Sequence, residues 1–261
     1  MTRIRFEVSY DGTDFCGWQR QKHGPLKSVQ HTIEEALQIM FKEKITLFAS
    51  GRTDAGVHAV SQVCHFDVNR SEEAMRRWNL AEALRPHLPT TIQLKKIWIA
   101  PDDFHATISA THKTYKYLIY NRPRRSVFLH RYAEWIRRPL DLSHLQASAQ
   151  FLLGKHDFKS FQSVGTVVPH TTRSIYKAEW ILKKSEVFQF TITGSGFLKQ
   201  MVRNIVGTQL MLDRLKENPE KIRNIIELKD RKQAGPPAAP QGLYLWKVYY
   251  PKELDNRCRE L

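Results

Sequence analysis

Apolar and polar residues alternate at the amino terminus, where Ile4, Phe6, Val8 and Tyr10 are separated by Arg5, Glu7 and Ser9. That is the period of a strand with one buried face, and Asp11-Gly12 predicts a turn after it. Ser28 then caps a helix that carries Val29, Ile33, Leu37, Met40 and Phe41 at helical spacing. A short strand over Ile45 to Phe48 follows. In a third strand Val60, Gln62, Cys64, Phe66 and Val68 alternate with Ser61, Val63, His65 and Asp67. A helix opening at Ser71 places Ala74, Met75, Trp78 and Ala81 on one side and stops near Arg85-Pro86, because the residue before proline disfavours helix. Ile92 to Ile99 reads as a strand. The order strand, helix, strand, strand, helix, strand predicts an α+β unit with helices on one sheet face, and Pro101-Asp102-Asp103 marks a boundary.

Past the boundary, Tyr115, Tyr117 and Ile119 alternate with Lys116, Leu118 and Tyr120 until Asn121-Arg122-Pro123 breaks the strand. Asp141 caps a helix reaching Leu153, and Gly154 terminates it. Ile175 to Leu182 and Val187 to Ile192 form a strand pair, and a long helix starts after Gly196 with Phe197, Met201, Ile205, Thr208 and Leu212 on one face. Asn218-Pro219 opens another helix. Leu243 to Tyr250 form a closing strand, and the charged tail from Lys252 to Leu261 is expected to be mobile. The pattern therefore predicts two α+β domains, residues 1–103 and 104–261, each on a mainly antiparallel sheet.

Composition narrows the partner. Among 261 residues, 41 Lys and Arg against 26 Asp and Glu give a net charge of +15, which attracts polyanions and favours a nucleic-acid partner over a generically basic soluble protein or an anionic membrane surface. Cys16, Cys64 and Cys258 are scattered and form no C-x-x-C pair, so neither a disulfide framework nor a zinc site is suggested. The amino terminus lacks the apolar run of a signal peptide, and no stretch approaches the ~18 apolar residues of a membrane span. These features predict a cytoplasmic protein with no membrane partner.

Candidate chemistry concentrates in Ser50-Gly51-Arg52-Thr53-Asp54-Ala55-Gly56-Val57-His58-Ala59, which sets one carboxylate between two glycines. Glycines allow backbone conformations and approaches that a Cβ forbids, and Arg52 has the chemistry to orient Asp54 through a bidentate ion pair. An ordinary Asp turn is the competing reading of the local chemistry. Gly194-Ser195-Gly196 lacks the third glycine of a dinucleotide fingerprint and the Gly-Lys-Ser/Thr ending of a P-loop. No zinc-deaminase signature is present, and no metal, nucleotide or redox cofactor is implied.

The nonapeptide Gly51 to Ala59 resembles the catalytic loop of the tRNA pseudouridine synthase A family. Five more blocks resemble that family in order: Tyr10 to Gln19, Lys113-Thr114-Tyr115-Lys116-Tyr117, Gly154 to Phe158, Gly194 to Leu198 with Met201-Val202-Arg203-Asn204, and Gln241 to Leu245. The resemblance implies the pseudouridine synthase fold with an active-site cleft between its two domains. It also implies a homodimer acting on tRNA, at uridines 38–40 of the anticodon stem-loop.

By the same resemblance Asp54 is the nucleophile or catalytic carboxylate, and Arg52 is linked to it. Tyr115 stacks on the target uracil, with a buried sheet aromatic as its competing reading, a role for which Tyr117 is the better candidate. Leu243 lines the pocket or is a plain core leucine. His58 reads as structural or RNA-contacting rather than catalytic, and Arg203, with the helix start expected after Gly196, can meet an RNA phosphate. Arg20, Lys22, Arg122, Arg124, Arg125 and Lys199 are further phosphate candidates. The chain departs from the family pattern at Thr107, where arginine is usual, at Lys199-Gln200, where Tyr-His is common, and at Pro237-Ala238-Ala239-Pro240. A synthase for another RNA, a non-catalytic RNA-binding protein and a glycosidase are the competing functions, the last disfavoured because glycosidases commonly need paired carboxylates.

Overall fold

The alternation at the amino terminus is used as expected: β1 spans Thr2–Tyr10, with Ile4, Phe6 and Val8 fully buried. The structure is a computed structural model that describes residues 1–20 and 26–261, so Lys22 lies outside the described residues. Helix α1, Val29–Phe41, starts where the Ser28 hydroxyl accepts the His31 amide at 3.1 Å. The strand expected over Ile45 to Phe48 contracts to β2, Phe48–Ala49. The Leu47 amide is taken by the Glu34 carboxylate at 3.0 Å and is not available to a ladder. β3, His58–Val68, is buried on both faces for most of its length, as befits an interior strand.

The single helix expected from Ser71 is two. α2 spans Glu72–Arg76 and α3 spans Leu80–Leu84, because Asn79 accepts the Glu82 amide at 3.2 Å and starts a second helix with its own cap. β4, Ile92–Ala100, pairs antiparallel with β1, which pairs antiparallel with β3 on its other side.

Residues 112–244 form a second compact unit. Its strands are β5 (His112–Asn121), β6 (Glu134–Ile136), β7 (Gly154–Asp157), β8 (Thr172–Lys183) and β9 (Val187–Gly194). Its helices are α4 (Leu142–Gln150), α5 (Met201–Leu215) and α6 (Lys221–Leu228). β5, β9, β8 and β7 are neighbours in that order and antiparallel, and β6 lies parallel to β5 with Glu134 opposite Ile119. α5 starts at Met201 rather than just after Gly196, because Gln200 sits at φ 60, in the left-handed region that a helix cannot continue through. Residues 195–200 are therefore a connection, and Gly196 does not stand at a helix amino terminus.

The chain then returns to the first unit, residues 1–111 and 245–261. β10 (Leu243–Tyr249), α7 (Lys252–Arg257) and β11 (Arg259–Glu260) complete the order β11, β4, β1, β3, β10. The tail expected to be mobile is tied down. β11 pairs antiparallel with β4, the Leu261 amide donates to Ile97 at 3.0 Å, and Arg257 grips Asp103 with two bonds of 2.8 and 2.9 Å. Arg5 reinforces this anchorage. Its guanidinium lies 4.9, 4.9 and 4.6 Å from the rings of Trp98, Phe104 and Tyr250 and donates to Asp255 at 2.6 Å. Each unit is thus α+β on a mainly antiparallel sheet, as the patterning predicts.

Candidate active site

The Asp54 segment is held from both ends and from one flank. At its start the Ser50 amide donates to Val63 at 2.8 Å, and the fully buried Gln62 amide group donates to the Gly51 carbonyl at 2.7 Å. At its end the Val57 amide donates to the Asp54 carbonyl at 3.1 Å. This closes a four-residue turn whose third residue, Gly56, sits at φ +74, the left-handed position that type II turns reserve for glycine. On the flank, the Trp18 amide donates to the Thr53 carbonyl at 3.0 Å, and the Tyr10 and Thr53 hydroxyls are 2.8 Å apart.

That flank explains the glycines of the Tyr10 to Gln19 block. A Cβ on Gly12 would lie 2.0 Å from the Val57 carbonyl oxygen, and one on Gly17, which sits at φ +106, would lie 2.8 Å from the Thr53 oxygen. Only bare backbone fits against the turn. The result is a half-buried Asp54 on a clamped turn, beside an exposed Arg52.

The bidentate pair expected of Arg52 and Asp54 is not formed among the described residues. Arg52 points into solvent, since two residues along a turn do not fix a common side-chain direction. His58 is 2% exposed, with Nδ1 3.1 Å from both the Gly12 amide nitrogen and Asp11 Oδ1. A neutral ring accepts from Gly12 and a protonated one donates to Asp11; either way it anchors the flanking segment.

Tyr115, Arg203 and Leu243 share a frame in the second unit. Tyr115, 7% exposed, meets Phe197 edge to face at 5.0 Å. Two residues on, Tyr117 is fully buried, with its hydroxyl 2.6 Å from Glu134 Oε2 and 2.7 Å from the Ala239 carbonyl oxygen. Gly242, next to the buried Leu243, lies so close that a Cβ would come within 2.6 Å of the Tyr117 ring. Arg203 is clasped by the same loop. Its Nε donates to the Ala238 carbonyl at 2.8 Å, and the Ala238 amide donates back to the Arg203 carbonyl at 3.0 Å.

Burial shapes the titration of this frame. It pushes the Tyr117 phenol well up, and it pushes the Glu134 carboxyl up against the opposing pull of Tyr117, the Ala239 amide and the Arg203 charge. Lys113, two residues before Tyr115 on β5, is pushed down to about 8 by burial, with Arg173 adding to the effect.

The inward face of α5 is polar, which periodicity alone did not reveal. Asn204, Thr208, Gln209 and Asp213 are fully buried. Asn204 donates to Phe161 at 2.8 Å and accepts from Arg231 at 3.0 Å, while Thr208 accepts the Gly235 amide at 2.9 Å. These bonds fasten the loop after α6 to the helix that carries Arg203. Glu134 was also missed, because β6 is three residues long and leaves no periodic trace. Of the phosphate candidates, Arg20, Arg122, Arg124, Arg125 and Lys199 are exposed; Arg122 pairs with Glu186, and Arg125 lies 4.6 Å over the Trp135 ring. No group of three or more His, Cys, Asp or Glu among the described residues could hold a metal ion.

The sequence model of a family described as tRNA pseudouridine synthase matches residues 7–107 and 148–251. The chain is 64% identical over 260 residues to a tRNA pseudouridine synthase A of Bdellovibrio bacteriovorus, covering 100% of this chain and 99% of that protein. It is 42% identical over 250 residues to the Bacillus subtilis protein of that name, covering 95% and 99%, and 39% identical over 255 residues to the one from Hydrogenovibrio crunogenus, covering 98% and 95%. The matched segments contain the clamped Asp54 turn, Arg203 and Leu243 alike, and the chain belongs to the tRNA pseudouridine synthase family, a family of isomerases.

Proposed function

We propose that this protein converts uridines at positions 38–40 of the tRNA anticodon stem-loop to pseudouridine, with Asp54 as the catalytic carboxylate. The observation that carries the role of Asp54 is its setting. It is the carboxylate of a turn clamped by Gly12, Gly17 and Gln62, which offers a charge at a fixed point at little reorganisation cost. The reaction breaks the bond between uracil N1 and ribose C1′, turns the base and joins C5 to C1′. N1 gains a proton and C5 loses one, so atoms balance without a cofactor. Attack of Asp54 on C1′, addition to the base, and removal of the C2′ proton to give a glycal are the three routes by which one carboxylate can serve this exchange.

Tyr115 stacks on the target uracil, Leu243 presents an apolar contact to it, and Arg203 meets the backbone. Arg52, exposed beside the turn, fills the space left by the extruded base. A stem uridine must leave its stack at a cost of a few kcal/mol, which phosphate contacts from the basic surface offset. Binding of tRNA is expected to weaken roughly 10³-fold or more between 50 and 200 mM salt. The family resemblance also supports a cytoplasmic homodimer, which light scattering tests. Among the described residues, no helix is long and apolar enough to cross a membrane.

The test is tritium release from tRNA transcripts labelled at uridine C5, with products located by carbodiimide-blocked primer extension. Wild type is expected to release tritium and give stops in the anticodon arm, and Asp54→Ala to lose roughly 10⁴-fold or more in rate while still binding tRNA. Stops elsewhere would sink the proposed substrate position, and an active Asp54→Ala variant would sink the catalytic assignment.

A further inference from the structure

Glu134 stands outside every motif of the sequence, yet its carboxylate enters the frame that carries Arg203. We propose that Glu134 is a positioning residue for the Arg203 guanidinium, acting through the Tyr117 hydroxyl and the Ala238-Ala239 turn. The inference rests on the reading that Arg203 meets the RNA backbone and so fixes the target uridine for isomerisation.

The path is continuous and short. Glu134 Oε2 is 2.6 Å from the Tyr117 hydroxyl, which is 2.7 Å from the Ala239 carbonyl oxygen. One peptide unit earlier, the Ala238 carbonyl accepts Arg203 Nε at 2.8 Å and the Ala238 amide returns a bond of 3.0 Å to the Arg203 backbone. The Tyr117 hydroxyl has one proton and two acceptors in reach. The proton is shared between them as a three-centre bond that ties the β6 carboxyl group, the ring and the Ala239 carbonyl together.

The Ala239 backbone also lies near enough to favour the ionised carboxylate. Glu134 thereby holds the ring hydroxyl and, through it, the turn. β6 exists to deliver this group: three residues lie parallel to β5 and set Glu134 opposite Ile119, two positions beyond Tyr117. The charged and titratable groups that bear on Glu134 are Tyr117 and Arg203. Remove the acceptor, and the turn that grips Nε loses one of its supports; others are the Thr208 hydroxyl on the Gly235 amide and the packing of Gly207 and Gly235 at the base of the loop.

A displacement of about 1 Å in a positioning group can cost 10²-fold in rate, which sets the scale of the test. Single-turnover tritium release from bulk C5-labelled tRNA, at saturating enzyme, is measured beside the tRNA dissociation constant for wild type, Glu134→Ala, Glu134→Gln, Tyr117→Phe and Glu134→Ala/Tyr117→Phe. Glu134→Ala is expected to slow release at least about 10-fold with the dissociation constant within about two-fold of wild type. Glu134→Gln, which restores an acceptor without the charge, should recover most of the rate.

Tyr117→Phe should match Glu134→Ala, and the double variant should be no slower than either, since both cut the same path. A Glu134→Ala rate within two-fold of wild type overturns the proposal. So does Glu134→Gln as slow as Glu134→Ala, which would assign the effect to charge, or losses that multiply in the double variant. If Glu134→Ala fails to fold, Tyr117→Phe keeps the ring and carries the same test against Glu134→Gln. Bulk release does not depend on which uridine is modified or on Asp54 as nucleophile, so failure of those assignments is read separately from failure of this one.

Discussion

Two loops frame Asp54 and Arg203, the Asp54 turn itself and the turn around Ala238, and they are held in different ways. The Asp54 turn is secured mainly by backbone: amides of Trp18 and Val57 and two glycines pressed against the turn, with the Gln62 side chain on the Gly51 carbonyl. The turn around Ala238 also has glycines at its base, Gly207 and Gly235, but is secured chiefly by side chains drawn from β5, β6 and α5, namely Tyr117, Glu134, Arg203 and Thr208. A backbone clamp depends on residues that are absent, since any Cβ would intrude. A side-chain clamp depends on polar groups meeting across distant parts of the chain, where each unpaired member leaves a desolvated atom.

The sharpest contrast comes from filling the glycine contacts. A Cβ on Gly12 would sit 2.0 Å from the Val57 oxygen, and one on Gly207 would sit 1.8 Å from the Pro236 oxygen. Each Gly→Ala change is expected to destabilise its unit by about 3 kcal/mol, read as a lower urea midpoint. If the two loops are held independently, hydrogen exchange will rise in β3 for Gly12→Ala and in β5 and β6 for Gly207→Ala. Exchange that rises everywhere in both variants would show that the loops are one cooperative element.

Acid separates the same regions by sign. His65 on β3 is pushed from 6.5 down to about 4, first by burial and then by His105 and Arg3. Folded protein keeps it neutral while unfolded chain takes up a proton below 6.5, so stability is lost as pH falls from 6.5 towards 4, by about 3 kcal/mol. Glu134 runs the other way. Its carboxyl lies above the usual 4.5, so its contribution is present below 4.5 and lost as pH rises through the raised value. Between pH 7 and 5, amide protection is therefore expected to fall in β3 and to hold or rise in β5 and β6, and His65→Gln should flatten the first response.

The smallest effect compares the helix caps. Ser28 accepts the His31 amide at 3.1 Å in the first unit, and Asp141 accepts the His144 amide at 3.1 Å in the second. Replacing either with alanine is expected to cost about 1 kcal/mol. Protection should fray only in the first turn of α1 or α4; a loss spreading beyond that turn would mean the cap is also a tertiary contact.

This contrast explains what could be read from the chain. β1, α1, β4 and β5 stand out by their periods, because each buries one stripe or face, whereas β3 is buried on both faces for most of its length. The Asp54 turn stands out too, since its glycines and its carboxylate are consecutive. The family resemblance marked Tyr10 to Gln19, but its role as the clamp on Thr53 and Val57 appears only in three dimensions. β6 and β7 are three and four residues long and carry no period. The break at Asn79 and the late start of α5 at Met201 depend on a side-chain cap and a left-handed Gln200, which outrank the apolar spacing around them. Glu134 was invisible for the same reason that it is informative: its partners come from β5 and from a loop more than a hundred residues later.

The threading of the chain has a bearing on how the protein is born. Residues 112–244 form their unit without interruption, whereas the unit that frames Asp54 needs residues 245–261 beside residues 1–111. On a ribosome the second unit can close while the first still lacks β10 and the β11 strap that Arg5 and Asp103 await. The Asp54 turn thus belongs to the unit that cannot be completed until the last residues of the chain are made. Nascent chains should spend their vulnerable interval with β3 and β4 exposed as open strand edges, so synthesis rate and chaperone access would set the yield of folded protein.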